Sequence, residues 1–138
     1  MSKVAIVFWS ATGNTETMAN CIAEGAAATI VPCAEMTPAK LNEFDVVAFG
    51  CPAMGAEQLE ESEFEPMFSD LEGSLNGKKV AMFGSYGWGD GQWMRDWEAR
   101  MSGAGATIVG GEGVICQEAP DADAMEQCKA LGKALANA

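Results

Sequence analysis

The run Val4-Ala5-Ile6-Val7-Phe8-Trp9, followed at once by Ser10-Ala11-Thr12-Gly13-Asn14-Thr15, decides how the chain is read. An unbroken apolar stretch of strand length suits a parallel strand covered on both faces. Beyond the loop the residues change to helix formers, with apolar positions at Met18, Ile22 and Ala26. Strand, short loop and helix together place the loop's backbone N–H groups at a helix N-terminus. Unsatisfied donors and partial positive charge there favour an anion. Ser10, Thr12 and Thr15 add hydroxyls and Asn14 an amide, while Ala11 and Gly13 let the backbone come close to a ligand. The loop carries no Lys or Arg, and the G-x-x-x-x-G-K-[ST] pattern is absent from the chain. Taken alone, the loop is either a cradle of neutral donors for a phosphate monoester or an N-cap rich in Ser and Thr.

At 138 residues, the stretch 1–138 reads as one domain with a real core. The first residues run straight into a strand with no Ala-x-Ala cleavage region, so no signal peptide is expected. No apolar stretch approaches membrane-spanning length. Twenty acidic and eight basic residues give a net charge of −12. That balance argues against nucleic acid, because phosphate neutralisation needs a basic face. It suits a soluble protein that meets basic partners, or a negative field around a redox centre. Cys21, Cys33, Cys51, Cys116 and Cys128 never form a C-x-x-C pair, and His is absent. A zinc or iron–sulfur site therefore has almost no ligand set, and reduced thiols in an intracellular protein fit best. Without His, the usual general base is also missing, so a bound cofactor is expected to carry any chemistry.

The first helix is expected to end near residues 25–28, and Thr29-Ile30-Val31-Pro32-Cys33 reads as a short strand. Pro32 removes a ladder donor, which makes this an edge strand. A brief helical stretch begun by Thr37-Pro38 leads to the central strand Phe44-Asp45-Val46-Val47-Ala48-Phe49-Gly50. After a loop over residues 51–61, Ser62-x-x-Glu65 has the form of a capping box. Pro66 then falls in the first turn of a helix reaching about Leu75. A fourth strand, Lys79-Val80-Ala81-Met82-Phe83-Gly84, precedes the glycine-rich loop Ser85-Tyr86-Gly87-Trp88-Gly89-Asp90-Gly91. In the next helix Met94, Trp97 and Met101 share one face and, with Trp93, read as core. A fifth strand, Ala106-Thr107-Ile108-Val109 and Val114-Ile115-Cys116, is interrupted by Gly110-Gly111-Glu112-Gly113, and Asp121 caps a last helix.

Strands alternating with helices give the α/β class, here a five-stranded parallel sheet with helices on both faces and right-handed crossovers. Ligands of such sheets bind beyond the carboxyl ends of the strands, at the switch point. The loops after strands one, three and four all lie at that edge. In Cys51-Pro52-Ala53-Met54-Gly55-Ala56-Glu57, Met54 offers a thioether, and Trp88 among glycines offers an aromatic face. Both suit a flat heterocycle attached to a phosphate at residues 12–15. Trp9, at the strand end, fits core or site.

Ser10-Ala11-Thr12-Gly13-Asn14-Thr15, Met54-Gly55-Ala56-Glu57 and Ser85-Tyr86-Gly87-Trp88-Gly89-Asp90-Gly91 together resemble a short-chain flavodoxin of anaerobic bacteria. The resemblance covers the whole chain, in the right order and at the right length. It implies the sheet order 2-1-3-4-5 with FMN at the switch point, the known arrangement of that family, which comes with the resemblance alone. It also implies a low-potential one-electron carrier, not an enzyme, with FMN held tightly but non-covalently. Ser10, Thr12, Asn14 and Thr15 would then hold the phosphate, in a loop completed by Ala11 and Gly13. Trp88 would stack on one face of the isoalloxazine and Met54 would cover the other. The Gly55 carbonyl would accept the N5 proton of the one-electron-reduced flavin after a peptide flip, and Glu57 would bond the N3 side. Pro52, Ala53, Ala56, Ser85, Tyr86, Gly87 and Gly89 complete the expected cofactor-binding set, with no catalytic or metal-ligating residue. A cytoplasmic monomer is implied, and the break at residues 110–113 is too short for the insertion of long-chain members.

Two residues depart from the expected pattern. Pro52 stands where Ser is expected, which removes a polar contact near the phosphate. Ala56 stands where Asp, Asn or Gly is common. If Gly55 and Ala56 are the central residues of a turn, type II′ needs φ > 0 only at Gly55. Type II needs it at Ala56, at a cost on the order of 1 kcal/mol for a residue with a Cβ. The flipped form is then disfavoured, and the one-electron-reduced flavin loses roughly 40 mV of stabilisation at about 59 mV per tenfold.

Glu57, Glu60, Glu61, Glu63 and Glu65 crowd the approach to the following helix. They are either a solvated helix N-terminus, where carboxylates are favoured, or a field that lowers the flavin potential and steers basic surfaces. The family implies basic surfaces of redox enzymes as partners: pyruvate oxidoreductase, hydrogenase, and flavodoxin or ferredoxin reductases. A flavin-dependent quinone reductase of related fold would need a nicotinamide and quinone pocket for which 138 residues leave little to spare. A signalling receiver domain is excluded by its residues: Gly50-Cys51 and Ser10-Ala11 stand where its phospho-acceptor Asp and acidic pair belong.

Overall fold

Val4–Phe8 forms β1, and it pairs in parallel with β3, Val46–Gly50, along its whole length. The computed structural model describes residues 2–54, 58–87 and 89–138. Around the β1–β3 pair lie β2 (Thr29–Ile30) on one side and β4 (Lys79–Tyr86) on the other. The last strand is split, as the glycines at residues 110–113 predict. β5 (Thr107–Ile108) pairs with the start of β4, and β6 (Val114–Gln117) with its end. The order is β2-β1-β3-β4-β5, and every pairing in the sheet is parallel.

Successive strand residues alternate between two cores, as pleating requires. Ala5, Val7, Val47, Phe49, Val80 and Met82 face one side of the sheet. There they meet α2 (Pro38–Leu41), α3 (Phe64–Leu71) and α4 (Gln92–Gly103). Val4, Ile6, Val46, Ala48, Ala81 and Phe83 face the other side, against α1 (Asn14–Ala26) and α5 (Ala122–Ala136). Trp93, Met94, Trp97 and Met101 are all buried in the first core, as their helical spacing predicts. Thr37 caps α2 by accepting from the Lys40 N–H, and Asp121 caps α5 by accepting from that of Ala124.

Several boundaries differ from the sequence expectation. The second strand stops at Ile30 because Pro32 turns the chain into a 3-10 turn at Cys33–Glu35. It is an edge strand, and Ile30 is exposed. The third helix ends at Leu71 and passes into a 3-10 turn, Glu72–Ser74. Ser85 and Tyr86 belong to β4 and not to the loop after it, since Cys116 and Gln117 of β6 pair with them. The Ser62–Glu65 capping box does not form. Ser62 instead donates to the Glu60 carboxylate, and Glu65 takes a bidentate bond from Arg100 at 2.6 Å to each oxygen. Arg100 also bonds Glu72 and lies over the Phe68 ring, which joins α4 to α3.

Helices α1 and α5 cross at Gly25 and Gly132. A Cβ on Gly132 would lie 2.3 Å from the Ile22 carbonyl oxygen, and one on Gly25 would lie 2.4 Å from that of Lys129. Backbone atoms cannot swing aside as a side-chain tip can, so the crossing needs both glycines. Gly132→Ala is expected to lower stability by about 1–2 kcal/mol, overpacking outweighing the gain in helix propensity. Gly103→Ala, where a Cβ meets nothing within 4 Å, is expected to be neutral or stabilising. Urea unfolding of the two variants checks the contrast.

Candidate cofactor site

The loop between β1 and α1 is built around one hydroxyl. Ser10 Oγ accepts from the backbone N–H of Gly13 at 3.1 Å and of Glu16 at 3.3 Å. Gly13 is the N-cap of α1 with φ +94°, a left-handed conformation that glycine takes without penalty. It has no side-chain cap of its own, so Ser10 does the capping from three residues upstream. Among the described residues, nothing accepts from the backbone N–H groups of Ala11, Thr12, Asn14 or Thr15. Capping thus accounts for Ser10 but leaves four neighbouring donors, with Thr12 and Asn14 side chains beside them, for an external anion.

Beneath this loop Thr15, 1% exposed, lies 3.2 Å from the hydroxyl of Ser85, which is 5% exposed. The backbone carbonyl of Ser85 accepts from the Ala53 N–H at 3.0 Å. Ser85 therefore ties the first, second and third loops together at the carboxyl edge of the sheet. One residue earlier, Gly84 lets the chain after β3 pass close by, since a Cβ there would sit 2.2 Å from the Cys51 carbonyl oxygen. Trp93 Nε1 donates to that same oxygen at 3.2 Å, and the Tyr86 ring packs on Trp93. Gln117 donates to the Gly87 carbonyl, and Gly89 has φ +90°. Trp9 is half-buried, packed on the first core and lining a cleft with Cys33, Met36 and Met67.

The loop after β3 leaves the sheet as a closed ladder rung. Met54 and Gln58 exchange both backbone bonds, at 2.9 and 3.0 Å. Gly55, Ala56 and Glu57 lie between these ends, outside the described residues, as does Trp88. Pro52, Ala53 and Met54 are half-buried at the same edge.

The acidic run sorts into different roles. Glu61 and Glu63 are exposed, Glu65 is engaged by Arg100, and Glu60 is 5% exposed. One Glu60 carboxylate oxygen accepts from the backbone N–H of Glu63 at 2.7 Å and of Phe64 at 2.9 Å. The other accepts from the Ser62 N–H at 2.8 Å and from the Ser62 hydroxyl. Glu60 is thus neither a solvated charge nor part of a surface field, and nothing in the sequence distinguishes it from its neighbours. Burial pushes its carboxyl up, but the bonds from Ser62, Phe64 and Glu63 outweigh that and hold it at about 2.

Burial raises the pKa of all five thiols. Burial pushes Cys51 and Cys128 up to about 12 and Cys33 to about 11, so they stay protonated. All five cysteines are free thiols, and no acid or thiol cluster among the described residues could hold a metal ion. Among the same residues, no helix is long and apolar enough to cross a membrane.

Comparison with known proteins agrees with this edge. The family model described as flavodoxin matches residues 6–132. The chain belongs to the flavodoxin family. It is 47% identical over 137 residues to the flavodoxin of Clostridium beijerinckii, covering 96% of this chain and 98% of that one. Against the flavodoxin of Megasphaera elsdenii the identity is 48% over 140 residues, covering 98% and 99%. The solution structure of the two-electron reduced Megasphaera elsdenii flavodoxin superposes with a TM-score of 0.86 at 44% identity, covering 98% and 99%. Flavodoxins are FMN-binding electron-transfer proteins, and the four unclaimed N–H donors with their neutral side chains fit an FMN phosphate.

Glu60 should leave a signature in acid. Its folded-state pKa lies below its unfolded one, so its contribution is complete above pH about 4.5 and is lost as pH falls through about 2. The stability difference between the wild type and Glu60→Gln is expected to be constant above pH about 5 and to shrink towards pH about 2. Urea unfolding across that range measures it.

Proposed function

We propose that residues 10–15 hold the FMN phosphate, and that Met54 and Trp88 flank its ring, in a carrier with no substrate turnover of its own. The observation that carries this is the set of unclaimed N–H groups at Ala11, Thr12, Asn14 and Thr15, fixed to the other two loops through Ser85. Bound FMN supplies one-electron redox chemistry. The chain supplies neutral phosphate donors at a helix N-terminus, where the dipole favours an anion without a cation in the loop. Ser85 sets the spacing between the phosphate loop and the two ring-bearing loops. The Gly55 carbonyl would accept a hydrogen bond from flavin N5 once that nitrogen carries a proton, and Glu57 would bond the N3 side. Pro52, Ala53, Ala56, Tyr86, Gly87 and Gly89 complete the lining.

A chain of net charge −12 is drawn to basic surfaces of its redox enzymes, of the pyruvate oxidoreductase, hydrogenase or flavodoxin reductase kind, with a rate that falls as salt rises. It works as a cytoplasmic monomer.

Titration of the apoprotein with FMN, followed by tryptophan fluorescence, tests the site. Removing one hydroxyl that bonds a charged phosphate costs roughly 1.5–3 kcal/mol. Thr12→Ala should therefore weaken FMN binding about 10- to 100-fold. Binding as tight as wild type would remove Thr12 from the site. If the flipped turn needs φ > 0 at Ala56, Ala56→Gly is expected to raise the first one-electron potential by roughly 40 mV. Potentiometry with redox dyes reads this, and an unchanged or lower potential contradicts it.

A further inference from the structure

We infer that Glu60 is a positioning residue for the flavin, its buried carboxylate fixing the base of the 54–58 loop between the end of β3 and the start of α3. This rests on the proposal that residues 54–57 lie against the FMN ring. Three separate groups of the residue are pinned. Its N–H donates to Cys51 Sγ at 3.4 Å, its carbonyl accepts from the Glu65 N–H at 2.8 Å, and its carboxylate takes the four bonds from residues 62–64. Cys51 directly follows β3, and Leu59 beside Glu60 is buried in the first core. The Met54–Gln58 rung ends two residues before Glu60, so the loop's return strand is anchored immediately outside the rung.

The position calls for a carboxylate. Three of its four partners are backbone N–H groups, which cannot turn round to accept, and only the Ser62 hydroxyl could. In Glu60→Gln the side-chain amide would face at least one of these N–H groups, donor against donor, and one part-buried donor would be orphaned. A mere helix cap would then cost stability alone. A residue that positions the loop would also change how the loop meets the flavin.

Glu60→Gln, Ser62→Ala and Lys78→Met in the full chain separate these outcomes. Lys78 bonds the carbonyls of Leu41 and Phe44 at the amino edge of the sheet, opposite the site. Each apoprotein is titrated with FMN, its one-electron potentials are measured and its Tm recorded. Glu60→Gln should raise the FMN dissociation constant at least tenfold and shift the first potential. Ser62→Ala should act the same way but less strongly, and it decides the matter if Glu60→Gln does not fold. Lys78→Met should lower Tm and leave both flavin readouts alone. If Glu60→Gln and Ser62→Ala lose Tm but keep wild-type affinity and potentials, Glu60 only caps α3 and the inference falls. Thr12→Ala, run alongside, keeps the two levels apart. Weakened Thr12→Ala beside unchanged Glu60→Gln overturns this inference alone, and unchanged binding in both overturns the site itself.

Discussion

The hydroxyl pair between Thr15 and Ser85 is the contact on which the functional edge depends. It is buried, and it joins residues 70 positions apart, one on the first turn of α1 and one near the end of β4. Through the Ser85 carbonyl the same residue also holds Ala53. Three loops from three strands thus meet on one side chain and its backbone. A phosphate loop alone is a general anion site, and an aromatic loop alone is a surface feature. In the proposed site they act together because β4 is long enough to carry Ser85 out beside the first loop. β6 makes that length possible by pairing with Ser85 and Tyr86 after β5 has ended.

Charge is used in two ways around this edge. The chain is strongly acidic, and most of its described carboxylates are exposed, where like charges add at long range. Glu60 acts at short range, its two oxygens answered by four donors, so its burial costs little in desolvation that is not offset. Arg100 plays a comparable part further along α3, where the pair with Glu65 and Glu72 locks α4 to the same helix. The loop after β3 is therefore anchored to α3, and α3 is in turn tied to α4, which carries Trp93 back to the Cys51 carbonyl.

What can be read from the sequence is local. The apolar run at residues 4–9 and the hydroxyl-rich loop after it show strand, turn and helix because their periodicities change within a few residues. The break at residues 110–113 is visible for the same reason. What stays hidden depends on partners distant in sequence or on geometry. Nothing near Ser85 says that β6 will extend β4 past Gly84. Ser62-x-x-Glu65 satisfies the capping pattern, yet Arg100, 35 residues on, takes Glu65, and Glu60 takes the donors. In a run of five glutamates, composition cannot tell the buried one from the solvated ones.

On the proposed function, this edge holds an FMN that gains its electrons one at a time. Stepwise anaerobic reduction of the purified protein, followed by visible absorbance, tests it most directly. A yellow flavin spectrum is expected to pass through a blue one-electron-reduced species and then bleach. A flavin that bleaches in a single two-electron step, or a protein that takes up no FMN, would contradict it.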